Sequence, residues 1–464
     1  MGYTIRQMEH ERNFCQELSV EALQRAVPPE AIRAVLRERG NPVRRARKLT
    51  AEATIWVLIA LNVYTHLAVG HVLRKVSQGL RFIWPDPTYR VPGASAFVYR
   101  HRRGPELVAP VVALYERLAW PIATAQTPGA FRFGLRLMAL DGTVEDVPDS
   151  PANAAAFGRQ HGSRGDSAFP QVQGVYLVEC GTHAIVDATF GPYGTSERDG
   201  AHALLRAVSA DMLVMWDRGL HEYDLLTAVR QREAQVLGRL PAHVKPEWVA
   251  SLPDGSTLAY LRPSKPQRRA QGERLLGRVI EYTLTDPALP GYGEVHRLVT
   301  TLLDPRVAPA LDLVCLYHER WEIELVVDET DTHQRLAGRP LRSLKPEGVL
   351  QELDALLIAH FAIRVLMHEA ALQAGLDPDR LSFVHAVRVL HDAIPEFQMV
   401  DPADRPRLYA RLLQDIAAGR LPARRLRSNP RVVKRKMSNF RRKRPEHRYW
   451  PQPTMPFHAA VLLI

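Results

Sequence analysis

Two short apolar runs, each stopping at an acid with glycine close behind, constrain this chain more than any other feature. Leu135 to Leu140 ends on Asp141-Gly142-Thr143, and Met212 to Trp216 ends on Asp217-Arg218-Gly219. Short apolar runs closed by turn residues read as buried strands. Between them, Val172 to Val178 and Ala184 to Phe190 are β-rich, with Gly181-Thr182 as the turn of a hairpin. Helices are expected over about 199–209 and 221–232, and Gln235 to Leu240 reads as a fifth strand.

The resulting order, β-β-β-α-β-α-β, has an antiparallel trio first and parallel strands after it. That is the ribonuclease-H-like arrangement of an α/β fold, and in open sheets of this kind chemistry collects at strand ends. Residues 242–304 break the pattern. Pro246, Pro253 and Pro263 punctuate strand-like pieces at Leu258–Leu261, Arg278–Leu284 and His296–Leu303, which predicts an inserted β module with Trp248 in its core. Helices resume over about 311–337 and 347–374, with more to about 420. Residues 14–80 read as an α-helical N-terminal domain, with Pro28-Pro29 between two amphipathic turns and Thr50 as N-cap of an apolar helix. The proline-rich stretch 81–95 reads as a linker.

The expected organisation is therefore a helical N-terminal domain at 1–90, linker helices at 91–130, and the first part of the core at 131–241. The β insertion occupies 242–304, the second part of the core 305–395, and a C-terminal helix with a basic arm 396–464.

Composition narrows the partners. The net charge is +11, and twelve Lys/Arg against one acid, Glu446, between Arg424 and Arg448 account for all of it. A run of this kind, including Lys434, Arg435 and Lys436, reads as a phosphate-binding arm, with a solvated tail as the plainer alternative. A second basic cluster is Arg44, Arg45, Arg47 and Lys48. The apolar stretch Ile55–Leu61 is interrupted by Asn62, Thr65 and His66, too soon for the roughly 20 residues of a membrane span. The start soon becomes charged and carries no signal-peptide pattern. Cys15, Cys180 and Cys315 lie far apart, as core thiols in a reducing cytoplasm would.

Two-metal phosphoryl transfer needs about three carboxylates converging on a pair of divalent ions, and hard oxygen ligands suit Mg²⁺. Asp141 and Asp217 stand where two strands end. The helix beginning near Asp312 carries Tyr317, Arg320 and Glu324, which an unbroken helix places on one face within about 60°. Apolar residues on most other sides, Trp321 and Leu325 among them, predict that this helix is buried. Glu319 and Glu322 point away from that face, whereas Asp328 shares it as a rival third carboxylate. An Asp before Gly also occurs at ordinary turns, and Arg320 with Glu324 also makes a plain i,i+4 pair. The residues alone leave the structural and metal-binding readings both open. His161, His183 and His202 have no metal-ligand spacing. Gly-x-Ser-x-Gly is missing from the loop around Ser163, and no phosphate-binding Gly-x4-Gly-Lys loop implies a nucleotide cofactor.

Tyr317-His318-Glu319-Arg320-Trp321-Glu322-Ile323-Glu324, Leu140-Asp141-Gly142-Thr143 through Asn153-Ala154-Ala155-Ala156-Phe157-Gly158, and Asp217-Arg218-Gly219 together resemble the insertion-sequence-four branch of the DDE transposases. That family carries Tyr-x2-Arg-x3-Glu-x6-Lys around its third acid. The resemblance covers nearly the whole chain and implies that Asp141, Asp217 and Glu324 ligate two Mg²⁺ or Mn²⁺ ions. It further implies that Tyr317 and Arg320 contact phosphates of the transposon ends, and that the inserted module, which holds Trp248, helps hold a hairpin intermediate with an aromatic against a flipped base, a core Trp248 being the plainer reading; Arg44 and Arg45 read as further DNA contacts or as a solvated approach to the helix. The implied partners are double-stranded DNA, as terminal inverted repeats and as target, and a second copy of the chain in a synaptic homodimer. The implied location is the bacterial cytoplasm, at the nucleoid, with no membrane. The family's last Lys falls on Asp331, and Arg335 is the nearest base beyond it. Asp331 motivates an alternative, a catalytically impaired DNA-binding relative; a ribonuclease-H-like nuclease without strand transfer is a third reading.

Overall fold

The structure, a computed structural model, describes residues 20–39, 49–78, 91–102, 105–162, 165–335, 340–422, 432–433 and 441–464. Most of the expected linker and both basic clusters, Arg44, Arg45, Arg47 and Lys48 and then Lys434, Arg435 and Lys436, lie outside the described residues. In chain order the main elements are α1 (Pro29–Glu38), α2 (Ala51–Val63), α3 (Val69–Val76), α4 (Ala94–Arg102), α5 (Pro105–Leu118), β1 (Leu135–Asp146), α6 (Pro151–Phe157), β2 (Gln171–Glu179), β3 (Ala184–Pro192) and α7 (Glu197–Leu204). They continue with β4 (Met212–Trp216), α8 (Tyr223–Arg230), β5 (Gln235–Arg239), β6 (Glu247–Ser251), β7 (Thr257–Leu261), α9 (Pro266–Ala270), β8 (Leu275–Leu284) and β9 (His296–Thr300). The last are α10 (Ala310–Glu319), α11 (Glu322–Asp328), α12 (Pro346–Ala374), α13 (Phe383–Met399), α14 (Arg405–Ala418) and β10 (Val461–Leu463).

The chain folds as two compact units, residues 1–132, 136–207 and 322–421 in the first, and 133–135, 208–321 and 422–464 in the second. In the first, β3, β2 and β1 form an antiparallel trio, with Asp141 opposite Tyr176 and Asp146 opposite Gln171. The expectation that the strand stops at Asp141 is corrected. Backbone pairing with β2 carries β1 on to Asp146, so Asp141 sits in mid-strand. The β2–β3 hairpin closes through Gly181, where a Cβ would meet the Ala130 Cα at 2.5 Å, so only glycine fits. Against the trio packs α12, which also touches α2, α5 and α14. This helix is long and apolar enough to cross a membrane, yet it is almost wholly buried within the protein. An all-round apolar helix is what a core of this size requires. Thr50 caps α2 as expected, accepting from the Ala53 amide at 3.0 Å.

In the second unit β4 runs parallel to β5. From β5 an antiparallel series continues through β9, β8 and β7 to β6, and β10 adds to β8. Trp248, expected in the core, is 66% exposed on β6, which pairs on one side only.

The expected helix over 311–337 is not continuous. The α pattern lapses at Arg320 and Trp321, whose amides reach back only three residues, to Tyr317 and His318. It resumes in α11, widens into a π-helical turn over Glu329–Gln334 and ends at Arg335, whose backbone is extended. The face arithmetic, which assumed 100° per residue throughout, therefore fails between Tyr317 and Asp331. Burial on most sides also fails: Ile323 and Val326 are buried, while Trp321 and Leu325 are exposed.

Candidate active site

Asp217 follows the wholly buried β4 directly. Its Oδ1 accepts from the amides of Gly219 at 2.7 Å and Leu220 at 3.2 Å, a side-chain-closed turn that fixes the carboxylate at the strand end. Trp216 packs against the neighbouring β5, where a Cβ on Gly238 would come within 2.7 Å of the indole nitrogen. Tyr317 of α10 donates its hydroxyl to the Trp216 carbonyl at 3.2 Å, and the Arg320 guanidinium lies 5.9 Å from the Tyr317 ring centre. Burial pushes the Tyr317 phenol up; Arg320 opposes that shift and the Asp217 charge adds to it. Asp217, Tyr317 and Arg320 are thus brought together within the second unit.

Asp141 and Glu324 belong to the first unit. Asp141 Oδ1 accepts from the Gly142 amide at 2.9 Å. Over Gly142 lies the carboxylate of Glu197, in the first turn of α7, so close that a Cβ would fall 2.5 Å from Oε1. Glu197 is an acid beside Asp141 that linear spacing does not reveal. Glu324 is exposed in the first turn of α11. The rival Asp328 is exposed too and lies 3.2 Å from the His333 ring.

Asp331 lies in the π-helical turn, half-buried, with hydrogen bonds from Thr330 at 3.2 Å and from Thr143 of β1. Burial pushes its carboxyl up to about 6, the two threonines oppose this, and Asp328 adds repulsion. Arg335 is spent on an ion pair with buried Glu145 of β1.

A second set of charges was not foreseen. Glu329, buried in the first unit, is held by both Arg364 and His360, the latter at 3.1 Å. Burial alone would raise its carboxyl; the Arg364 charge and the histidine hydrogen bonds outweigh it and hold it well below the usual range. His183 stands beside this pair. Its Nε2 is 2.9 Å from Glu322 Oε2 and 3.1 Å from Asp379 Oδ1. Glu322, expected to point away from the face of Tyr317, Arg320 and Glu324, faces His183, and with Asp379 the two form one group of ligand-type atoms that spacing among the histidines does not reveal. Both acids lie 139 residues or more from His183 in the chain, which no spacing rule can see.

Asp141, Asp217 and Glu324 offer only carboxylate oxygens, the donor class that hard divalent cations take. At Asp217 the described hydrogen bonds go to Oδ1 alone, so Oδ2 fits a cation.

Comparison with known proteins assigns the class. Residues 132–362 match the family model described as "Transposase DDE domain", and residues 17–115 match "Insertion element 4 transposase N-terminal". Transposase InsG for insertion sequence element IS4, from Escherichia coli (strain K12), is 30% identical over 431 residues, covering 92% of either chain. InsZ of the same organism, provisionally named a transposase, is 27% identical over 224 residues, 47% of this chain and 69% of its own. The chain belongs to the insertion element 4 family of DDE transposases. It is a DNA transposase with a mixed α/β, ribonuclease-H-like catalytic fold, from a family that binds transposon ends and uses divalent metal ions.

Proposed function

We propose that the protein catalyses cut-and-paste transposition of an insertion sequence, with Asp141, Asp217 and Glu324 holding two Mg²⁺ or Mn²⁺ ions. The observation that carries this reading is the corner at the end of β4. There Asp217 is fixed by two amides, with Tyr317 and Arg320 against the same strand end. The bound ions supply Lewis acidity and a more acidic attacking hydroxyl. The chain's own work is positioning. Asp141 and Asp217 are presented by strand backbone, and Arg320 offers a planar guanidinium to a phosphate oxygen. Tyr317 holds α10 to β4 through the Trp216 carbonyl.

Residues 1–90, as an N-terminal domain, and the basic arm with Lys434, Arg435 and Lys436 engage terminal DNA, together with Arg44 and Arg45, and residues 242–304 act as a β insertion within the core. Two copies pair the terminal repeats before attack on target DNA. The enzyme works in the bacterial cytoplasm, at the nucleoid. The concentration of positive charge in one arm supports these DNA contacts.

Labelled terminal inverted repeats incubated with the protein and Mg²⁺ test the reading: cleavage followed by joined product is expected. One observation favours a second reading. Asp331 stands where the family carries Lys, and Arg335 is tied to Glu145, so neither supplies that cation. Binding without cleavage would favour this impaired form, and cleavage without joining a nuclease. Failure to bind paired repeats would overturn both transposase readings.

A further inference from the structure

We propose that His183, Glu322 and Asp379 form a second metal site, structural in role and selective for a transition ion such as Zn²⁺ over Mg²⁺. The three residues come from separate elements of the first unit: the β2–β3 hairpin, the first residue of α11, and the short 3₁₀ turn Pro378–Arg380. His Nε2 and one oxygen from each acid all lie within 4.8 Å of one another. An ion 2.0–2.2 Å from each donor would set them about 3.0 Å apart in octahedral and about 3.4 Å apart in tetrahedral geometry. The distances from Nε2, 2.9 Å to Glu322 and 3.1 Å to Asp379, are already close to that.

The proton is a poorer fit than the ion. A single N–H shared between two carboxylates makes a three-centre bond that is straight to neither, whereas a metal at Nε2 is bound by all three donors. A nitrogen ligand also favours Zn²⁺ or Co²⁺ over Mg²⁺, which prefers oxygen and keeps its waters. Behind the ring, Arg364 approaches Nδ1 at 2.7 Å and Glu329 Oε1 lies at 3.4 Å. Arg364 can only donate, so with an ion at Nε2 the ring's one proton moves to Nδ1 and is accepted by Glu329 Oε1, and the Arg364 N–H that faces Nδ1 shifts off the ring while its bonds to the Glu329 carboxylate remain. This is the carboxylate–histidine–metal order found behind many metal-bound imidazoles. An entry path exists, since the Glu322 and Asp379 side chains keep 13% and 18% of their surface exposed while His183 keeps 3%. Such an ion would tie the first residue of α11 to the hairpin, two residues before Glu324.

The test uses full-length protein stripped with a chelator, then titrated with Co²⁺ in excess Mg²⁺. We expect one Co²⁺ per chain with visible d–d absorption, displaced by Zn²⁺, and a melting temperature that rises with Zn²⁺. Asp379→Asn and His183→Asn should each weaken Co²⁺ binding about tenfold or more. Asn tolerates the left-handed backbone at position 183, where φ is 58°. Asp217→Asn should leave this ion in place. No tight Co²⁺ in folded wild type, or loss that follows Asp217 rather than Asp379, would overturn the proposal and leave His183 as an ion-paired ring. Both readouts are independent of DNA cleavage, so this site can fail without affecting the catalytic triad.

Discussion

Asp217 and Glu329 are two carboxylates held in opposite ways. Backbone amides hold Asp217 by one oxygen, at the end of a strand and only half-buried. Side chains hold Glu329 by both oxygens, in the interior. Amides fix a carboxylate's position without neutralising its charge, so it keeps its attraction for a cation. A guanidinium bonded to both oxygens neutralises it and makes it part of the core. Glu329 is core, Glu322 faces His183, and Glu324 and Asp328 are exposed.

The comparison predicts its largest effect at Arg364. Arg364→Ala leaves Glu329 charged and buried, which should cost about 3–5 kcal/mol of unfolding free energy. Urea denaturation checks it, and a loss below about 1 kcal/mol would break the contrast. Asp354 of α12 sharpens it from the other side. Burial, with some repulsion from Glu116, raises this carboxyl from its ordinary value to about 7. A raised acid binds its proton more tightly when folded, so its penalty is absent below about pH 4, grows up to pH 7 and is constant above. Asp354→Asn should therefore stabilise the protein at pH 8, on the order of a few kcal/mol, and hardly at all at pH 4. Melting curves with equal shifts at both pH values would refute that. The smallest effect is at Tyr317→Phe, which removes the bond to the Trp216 carbonyl and should cost about 1 kcal/mol of stability.

Strands and their order were legible because apolar runs bounded by turn residues are local signals. The β4 strand matches its expected limits to the residue, and the hairpin at Gly181-Thr182 is where it was expected. The end of β1 was not legible, because pairing with β2, not composition, carries it past Asp141. Nor was the broken helix, since the tight turn at Arg320 and the π-helical turn after Asp328 leave no mark in the apolar pattern. Asp217 at a strand end was legible in the apolar run before it, whereas Tyr317 reaches the same strand from 101 residues away, which only the fold shows. His183 with Glu322 and Asp379 was not legible either, because only the fold brings such distant residues together.

We propose Glu324, and not its exposed neighbour Asp328, as the third catalytic acid. Single-turnover cleavage of a labelled terminal-repeat duplex in Mg²⁺ tests it, with Glu324→Gln and Asp328→Asn compared at equal DNA occupancy. Glu324→Gln should lose more than the roughly 100-fold that removing a residue behind a metal ligand costs, while Asp328→Asn should stay within several-fold of wild type. Loss of cleavage in Asp328→Asn with activity retained in Glu324→Gln would contradict it.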